Sequence, residues 1–258
     1  MSQTYRSTAQ RSAIVLAVFF QIAATALPAL GIGDPIGSQS DAVRTLITPA
    51  GWAFSIWGAL YLGSIVFAFY QAFPAQYRND LLDRTGWFAA GAFFGNGLWA
   101  LYTQLYDLTV ISVIIIASTL ACLLVIPRRI VAAKRLSRGD RWLFALPLTA
   151  LAAWLTAATI VNVAASLTYH GVGEAGGYPL VSAAVIVVGG LIASLAVNRS
   201  RGCPWYAAVF LWALLAIYLQ GGQRASAVAI AAVVSAVLVL GAALSGLRKH
   251  ENRRHWFG

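Results

Sequence analysis

Long apolar runs separated by short polar breaks set the pattern of this chain. Eight runs stand out, at residues 13–31, 50–73, 86–106, 108–126, 142–167, 178–197, 205–221 and 225–247, and none contains Asp, Glu, Lys, Arg or His. A hydrocarbon core of ~30 Å needs ~20 apolar residues in a spanning helix. The runs are continuous, whereas barrel strands alternate over ~10 residues, so helices are predicted. The expected fold is all-α, a polytopic transmembrane helix bundle of about eight spans.

Composition agrees: 60% of the 258 residues are hydrophobic and the mean hydropathy is +0.74. The net charge of +10 raises nucleic acid as a partner, but its distribution points to a membrane instead. With the N-terminus inside, the cytoplasmic segments hold Arg6 and Arg11, Arg78 and Arg84, the six basic residues from Arg128 to Arg141, Arg199 and Arg201, and the four from Arg248 to Arg254. Only Arg44 and Arg224 fall outside. This is the positive-inside pattern, and it places both termini in the cytoplasm. The basic C-terminal tail is a further candidate for contact with anionic membrane lipid. Cys122 and Cys203 fall in or beside apolar runs and serve as small apolar fillers, without the spacing of a metal site or disulfide framework. No cofactor is expected. The first segment shares features with a signal peptide, with Arg6, Arg11 and the small residues 23–26, but its apolar run is long for one.

The longest connections are residues 32–49 outside, 127–141 inside and 168–177 outside. The first, with Gly, Asp, Ser and Pro35, reads as a flexible loop able to cover a site. The second reads as a basic helix-turn connector. The third is a Gly-rich hinge that divides the chain into residues 1–170, with five spans, and 171–258, with three and a basic tail. Trp52, Trp57 and Tyr61 find a faint echo in Trp205, Trp212 and Tyr218, at different spacings.

Nine tryptophans are the unusual element. Trp87, Trp142 and Trp205 sit at span ends, where an amphipathic ring prefers the headgroup level, and Trp52 suits the same role. Trp256 lies in the tail. Trp57, Trp99, Trp154 and Trp212 lie deeper, where a buried indole N–H seeks an acceptor. Amides supply polarity nearby. Asn96 and Trp99 are three apart and share a helix face, with Gln104 beyond them. Trp154, Ala158 and Asn162 form one stripe at successive fours. From spacing alone, these residues fit helix-to-helix glue and a ligand pocket alike.

The segment Pro49-Ala-Gly51-Trp52-Ala-Phe54-Ser-Ile-Trp57-Gly-Ala-Leu60-Tyr61 resembles the second-helix signature of the TspO/MBR family, the translocator or tryptophan-rich sensory proteins. Asn96-Gly-Leu-Trp99 resembles that family's third-helix motif. Trp154-x3-Ala158-x3-Asn162 matches its fifth. The resemblance covers roughly residues 13–170, five TspO-like spans followed by three more. Ser55-Ile56 stand where the family has Gly-Pro, and a sterol-type pattern is absent after Tyr169. The resemblance implies a pocket for flat apolar ligands, typically porphyrins and related tetrapyrroles, with Trp52, Trp57, Asn96, Trp99, Trp154, Ala158 and Asn162 as its ligand-binding residues. It implies a sensor, regulator or scavenger in a bacterial inner membrane. Light-dependent porphyrin degradation is the one enzymatic activity it brings with it.

Other functions fit less well. Ion-coupled transporters carry ionisable residues within their spans, so proton coupling here would need loop residues such as Asp107 or Glu174. Uncoupled passage of a small molecule is the alternative function. No acid/base pair or metal cluster marks an enzyme. A retinal Schiff base and axial haem ligation lack the Lys or His they need within a span. The last three helices are expected to cover the bundle or to form a homo-oligomer contact.

Overall fold

The computed structural model describes residues 5–172 and 178–258. The described residues form helices joined by turns and coil, with no strand among them. Among them, α1 (Thr8–Thr25), α3 (Ile56–Ala72), α4 (Asp80–Tyr106), α5 (Val110–Ala132), α6 (Leu146–Tyr169), α7 (Pro179–Arg199), α8 (Pro204–Gln220) and α9 (Ser226–Arg248) correspond to the eight apolar runs. Two short helices, α2 (Ile36–Ala42) and α10 (His250–Trp256), lie outside them. Six of the long elements are both long and apolar enough to cross a membrane. The other two fall short for opposite reasons. The 27 residues of α4 include Asn96, Gln104 and several glycines, while α8 is strongly apolar but only 17 residues long. The protein is an integral membrane helix bundle.

Local chemistry sets the helix ends. Ser7 accepts from the Gln10 amide to cap α1, Asn79 accepts from Leu82 to cap α4, and Thr109 accepts from Ile111 to cap α5. Ahead of α6, residues Asp140–Ala145 form a π-helical turn followed at once by Pro147, which has no N–H to continue an α-helical ladder. Helix α4 packs between α1 and α5, and α6 follows α5. Helix α8 bridges α6 and α9, and α7 lies mainly against α9. Helix α6 is the centre: Leu148, Leu151, Ala152, Ala153 and Leu155 are fully or almost fully buried.

The basic segments gather at one end. The buried Arg6 guanidinium donates to the Gln71 carbonyl at 2.9 Å and to the Gln71 and Gln10 side-chain oxygens. Asp140 accepts from Tyr70 at 3.0 Å, Asn79 at 2.9 Å and the Ser137 hydroxyl at 2.7 Å. The tail folds back as α10, where Arg141 donates to the His255 carbonyl at 3.0 Å.

Three expectations change. The connector at 127–141 is shorter, because α5 continues through Pro127 to Ala132 and carries Arg128 and Arg129 on its last turns. The loop at 32–49 is ordered: it contains α2, and residues 45–50 are all buried. Gly33 takes a positive φ of 71° with no room for a side chain against the Gln104 carbonyl, and a side chain at Gly221 would strike the Leu46 carbonyl. The loop is thereby fastened to α4 on one side and to the end of α8 on the other. Trp256 is no free tail residue: it is 0% exposed, and its indole donates to the Arg201 carbonyl. The hinge at 168–177 runs through residues 173–177, including Glu174, which lie outside the described residues.

Candidate functional site

At the end opposite the basic cluster, α3, α4 and α6 converge on a group of aromatic rings. Trp57 opens α3 after a 3-10 turn at Gly51–Ser55. The Trp57 ring lies parallel to Trp99 at 6.3 Å, stacks on Tyr61 at 5.3 Å and meets Trp154 edge-on at 6.1 Å. Phe54 approaches Trp154 edge-on at 6.2 Å. Such offset and perpendicular contacts are the preferred aromatic geometries.

A polar relay crosses the same region. Trp99 Nε1 donates to Asn162 Oδ1 at 2.7 Å, Asn162 Nδ2 donates to Ser112 Oγ at 2.7 Å, and Ser112 Oγ donates to the Thr109 carbonyl at 2.7 Å. This ties α4, α6 and the start of α5 together. Two indoles beside it are left over. The Nε1–H groups of Trp57 and Trp154 are buried with no acceptor. Deep in an apolar bundle that is an unusual condition, because buried donors are nearly always paired.

A small cavity borders these rings, with Trp99, Trp154, Ala158 and Asn162 in its wall. The packed loop forms its roof through Ile36, Ser40 and Pro49, and α8 closes one side through Ala213 and Ile217. Its volume is about 50 Å³. A water needs roughly 10–15 Å³ on this measure, so the space suits a few waters. Pockets for drug-sized ligands run to roughly 300–1,000 Å³.

The seven residues that the resemblance implies therefore separate. Trp99, Trp154, Ala158 and Asn162 share the cavity wall, and Trp57 packs against the Trp99 and Trp154 rings without lining it. Asn96 turns toward α1, where its Nδ2 donates to Gln21 Oε1 at 3.1 Å, leaving Asn96 Oδ1 and Gln21 Nε2 unpaired. Trp52 is 42% exposed and meets the edge of Trp212 at 4.8 Å, away from the cavity. Trp212 in turn donates to the Ala53 carbonyl at 3.2 Å, so α8 grips the turn before α3. Sequence reasoning missed Phe54, Ser112, Ile36 and the α8 wall. Phe54 was within reach, two residues beyond Trp52 in the same motif. Ser112 and Ile36 carry no local signal, because their roles depend on which helix or loop packs opposite.

Fold and site together define a class, an integral membrane helix bundle with an uncharged, tryptophan-lined cavity. The model of the family described as TSPO-like protein matches residues 8–245, and the chain belongs to that family. The match extends beyond the five spans that carry the motifs and runs through α7, α8 and α9. No curated protein and no solved structure matches the chain.

Proposed function

We propose that this protein binds a flat, apolar small molecule of the tetrapyrrole type beneath the loop at 32–49, and acts as its sensor, regulator or scavenger rather than as an enzyme. The observation that carries this reading is the pair of unpaired indole N–H groups on Trp57 and Trp154. A guest carrying a carbonyl, carboxylate or ring nitrogen supplies the acceptor they lack. The rings around them supply stacking of roughly 0.5–1.5 kcal/mol per pair beyond area burial. Trp99 and Asn162 already satisfy each other, so their part is to hold α4 against α6 and fix the wall.

The guest requires the site to open. A cavity of about 50 Å³ admits no macrocycle. The roof is the element that must give way: Ile36, Ser40 and Pro49 belong to a connection fastened at Gly33 and Leu46, while most of the remaining wall, apart from Phe54 and Leu108, comes from spanning helices. Binding then stabilises an open form that is sparsely populated without ligand. We place the protein in a bacterial inner membrane with the basic end and both termini cytoplasmic, so that the roof faces outward. Membrane lipid surrounds the bundle, and nucleic acid has no part.

The test is a titration of protoporphyrin into the detergent-solubilised protein, followed by tryptophan emission and the pigment's absorption band. Saturable binding is expected, weakened several-fold in Trp57→Phe and Trp154→Phe, which keep a ring but lose the N–H. Trp87→Phe serves as control, because Trp87 is 57% exposed at the far end of α4. Identical binding by all three variants would mean nonspecific partitioning. Counterflow of the pigment in proteoliposomes separates a binding protein from an uncoupled carrier.

A further inference from the structure

The basic end contains a second cleft that owes nothing to the aromatic site. It lies between α5, α6, α7 and α8, and its volume is about 240 Å³. Leu124, Val131, Ile192 and Leu195 give it apolar walls, and Arg128 and Arg199 stand on its lining from the last turns of α5 and α7. Both arginines are exposed.

The polar side chains deeper in the cleft are already engaged. Thr149 donates to the Ala145 carbonyl at 2.7 Å, Ser200 to the Ala196 carbonyl at 2.7 Å, and Tyr206 to Thr156 at 2.8 Å. The two guanidiniums are in a different position. The ion pairs among the described residues are Arg44–Asp41 and Arg84–Asp80, so neither Arg128 nor Arg199 has an acidic partner. The cleft thus offers paired positive charge at its mouth and hydrocarbon walls inside. Pro127 also lines it and cannot donate to the Leu123 carbonyl, which interrupts the α5 ladder at this level.

We propose that this cleft is a binding site for an anionic phospholipid. The phosphodiester lies between Arg128 and Arg199, and one acyl chain lies against Leu124, Ile192 and Leu195. Charge and shape agree on that occupant. Guanidinium pairs match phosphate oxygens by forked hydrogen bonds, and basic pockets between spanning helices suit anionic headgroups. Each arginine also sits near a helix C-terminus, where a cation is favourable in any case. That effect stabilises the helix without distinguishing one lipid headgroup from another.

The experiment is native mass spectrometry of the full chain from detergent containing equal phosphatidylglycerol and phosphatidylcholine. Wild type should retain phosphatidylglycerol in about tenfold preference, since each basic residue near an anionic headgroup contributes on the order of 1 kcal/mol. The double variant Arg128→Gln/Arg199→Gln should lose the preference, with unchanged thermal unfolding showing that it folds. Ile192→Trp, which fills the cleft and keeps both charges, should lower retention of phosphatidylglycerol as well. Arg248→Gln/Lys249→Gln should leave the preference intact. Equal retention of the two lipids by wild type overturns the proposal. So does a preference that follows Arg248 and Lys249. A third overturning result is displacement of the lipid by millimolar inorganic phosphate, which marks a free-anion site.

Discussion

The two ends of the bundle treat buried polar groups differently. At the basic end the chain buries a carboxylate and a guanidinium and gives each several partners: Asp140 holds Tyr70, Asn79 and Ser137, while Arg6 holds Gln10 and Gln71. At the opposite end every buried polar group is neutral, and the pairing is incomplete. Trp99, Asn162 and Ser112 satisfy one another, but Trp57, Trp154, Asn96 and Gln21 each keep an idle atom. Some atoms at the basic end lack partners too, on Arg11, Trp205 and His255, but these belong to first helical turns and the tail. A buried charge left alone costs several kcal/mol, whereas a neutral N–H costs less, so a spare indole donor is tolerated far more readily than a spare charge. The charged end acts as a clamp, and the neutral end holds the idle donors on which the proposed binding rests.

The largest effect is expected from breaking the clamp. Asp140→Ala leaves four donors, on Tyr70, Asn79 and both the hydroxyl and the amide of Ser137, without their acceptor and removes the Ser137–Asp140 cap ahead of α6. Hydrogen bonds to a charged group contribute roughly 1.5–3 kcal/mol each, so thermal unfolding in detergent should record a loss of about 3 kcal/mol or more. A loss below about 1 kcal/mol would refute the clamp.

Next comes the contrast within the aromatic site. Trp99→Phe and Trp154→Phe remove similar volume from buried positions, but only the first strands a partner, Asn162 Oδ1. Trp99→Phe should therefore be the less stable of the two by about 1 kcal/mol, read from melting curves. Asn162→Ala, which strands both Trp99 and Ser112, should cost on the order of 1 kcal/mol, in line with hydrogen bonds between spanning helices. Equal melting of the two tryptophan variants would erase the distinction between occupied and idle indoles.

The smallest effect concerns the tail. Burial, with help from Arg201 and Arg141, pushes the His255 imidazole down to about 4 from its ordinary value near 6.5. The folded tail therefore takes up a proton less readily than the undocked one. The docking of α10 is at full strength above the undocked value and declines as pH falls from there toward about 4. The protection factors of residues 250–258, taken relative to the intrinsic exchange rate at each pH, should fall at pH 5 relative to pH 7.5 in wild type. His255→Asn should show a weaker pH response.

Much of the fold was legible because bilayer thickness and the need to satisfy backbone groups leave few choices for an apolar run. Even the run at 86–106 within α4, diluted by Asn96 and glycines, stood out through its lack of charge. Trp99, which the family resemblance groups with Trp154, Ala158 and Asn162, lies beside that stripe and donates to Asn162. What stayed hidden depended on contacts distant in sequence. The loop at 32–49 has turn-like composition, yet it is fastened by Gln104 of α4 and Gly221 after α8. Asn96 shares a face with Trp99 in a helical projection, but a side chain three residues back points toward a different neighbour once α1 is in place. Trp256 looked like a tail residue because nothing local reveals that the tail returns to Arg201. The C-terminal helices looked featureless, although Ala213 and Ile217 complete the cavity wall.

The measurement closest to the central claim is the protoporphyrin affinity of Trp154→Phe set beside wild type in one detergent. A free indole N–H waiting for a guest predicts binding several-fold weaker, about what one hydrogen bond of ~1 kcal/mol confers. Affinity indistinguishable from wild type would contradict the account and leave the tryptophans as packing alone.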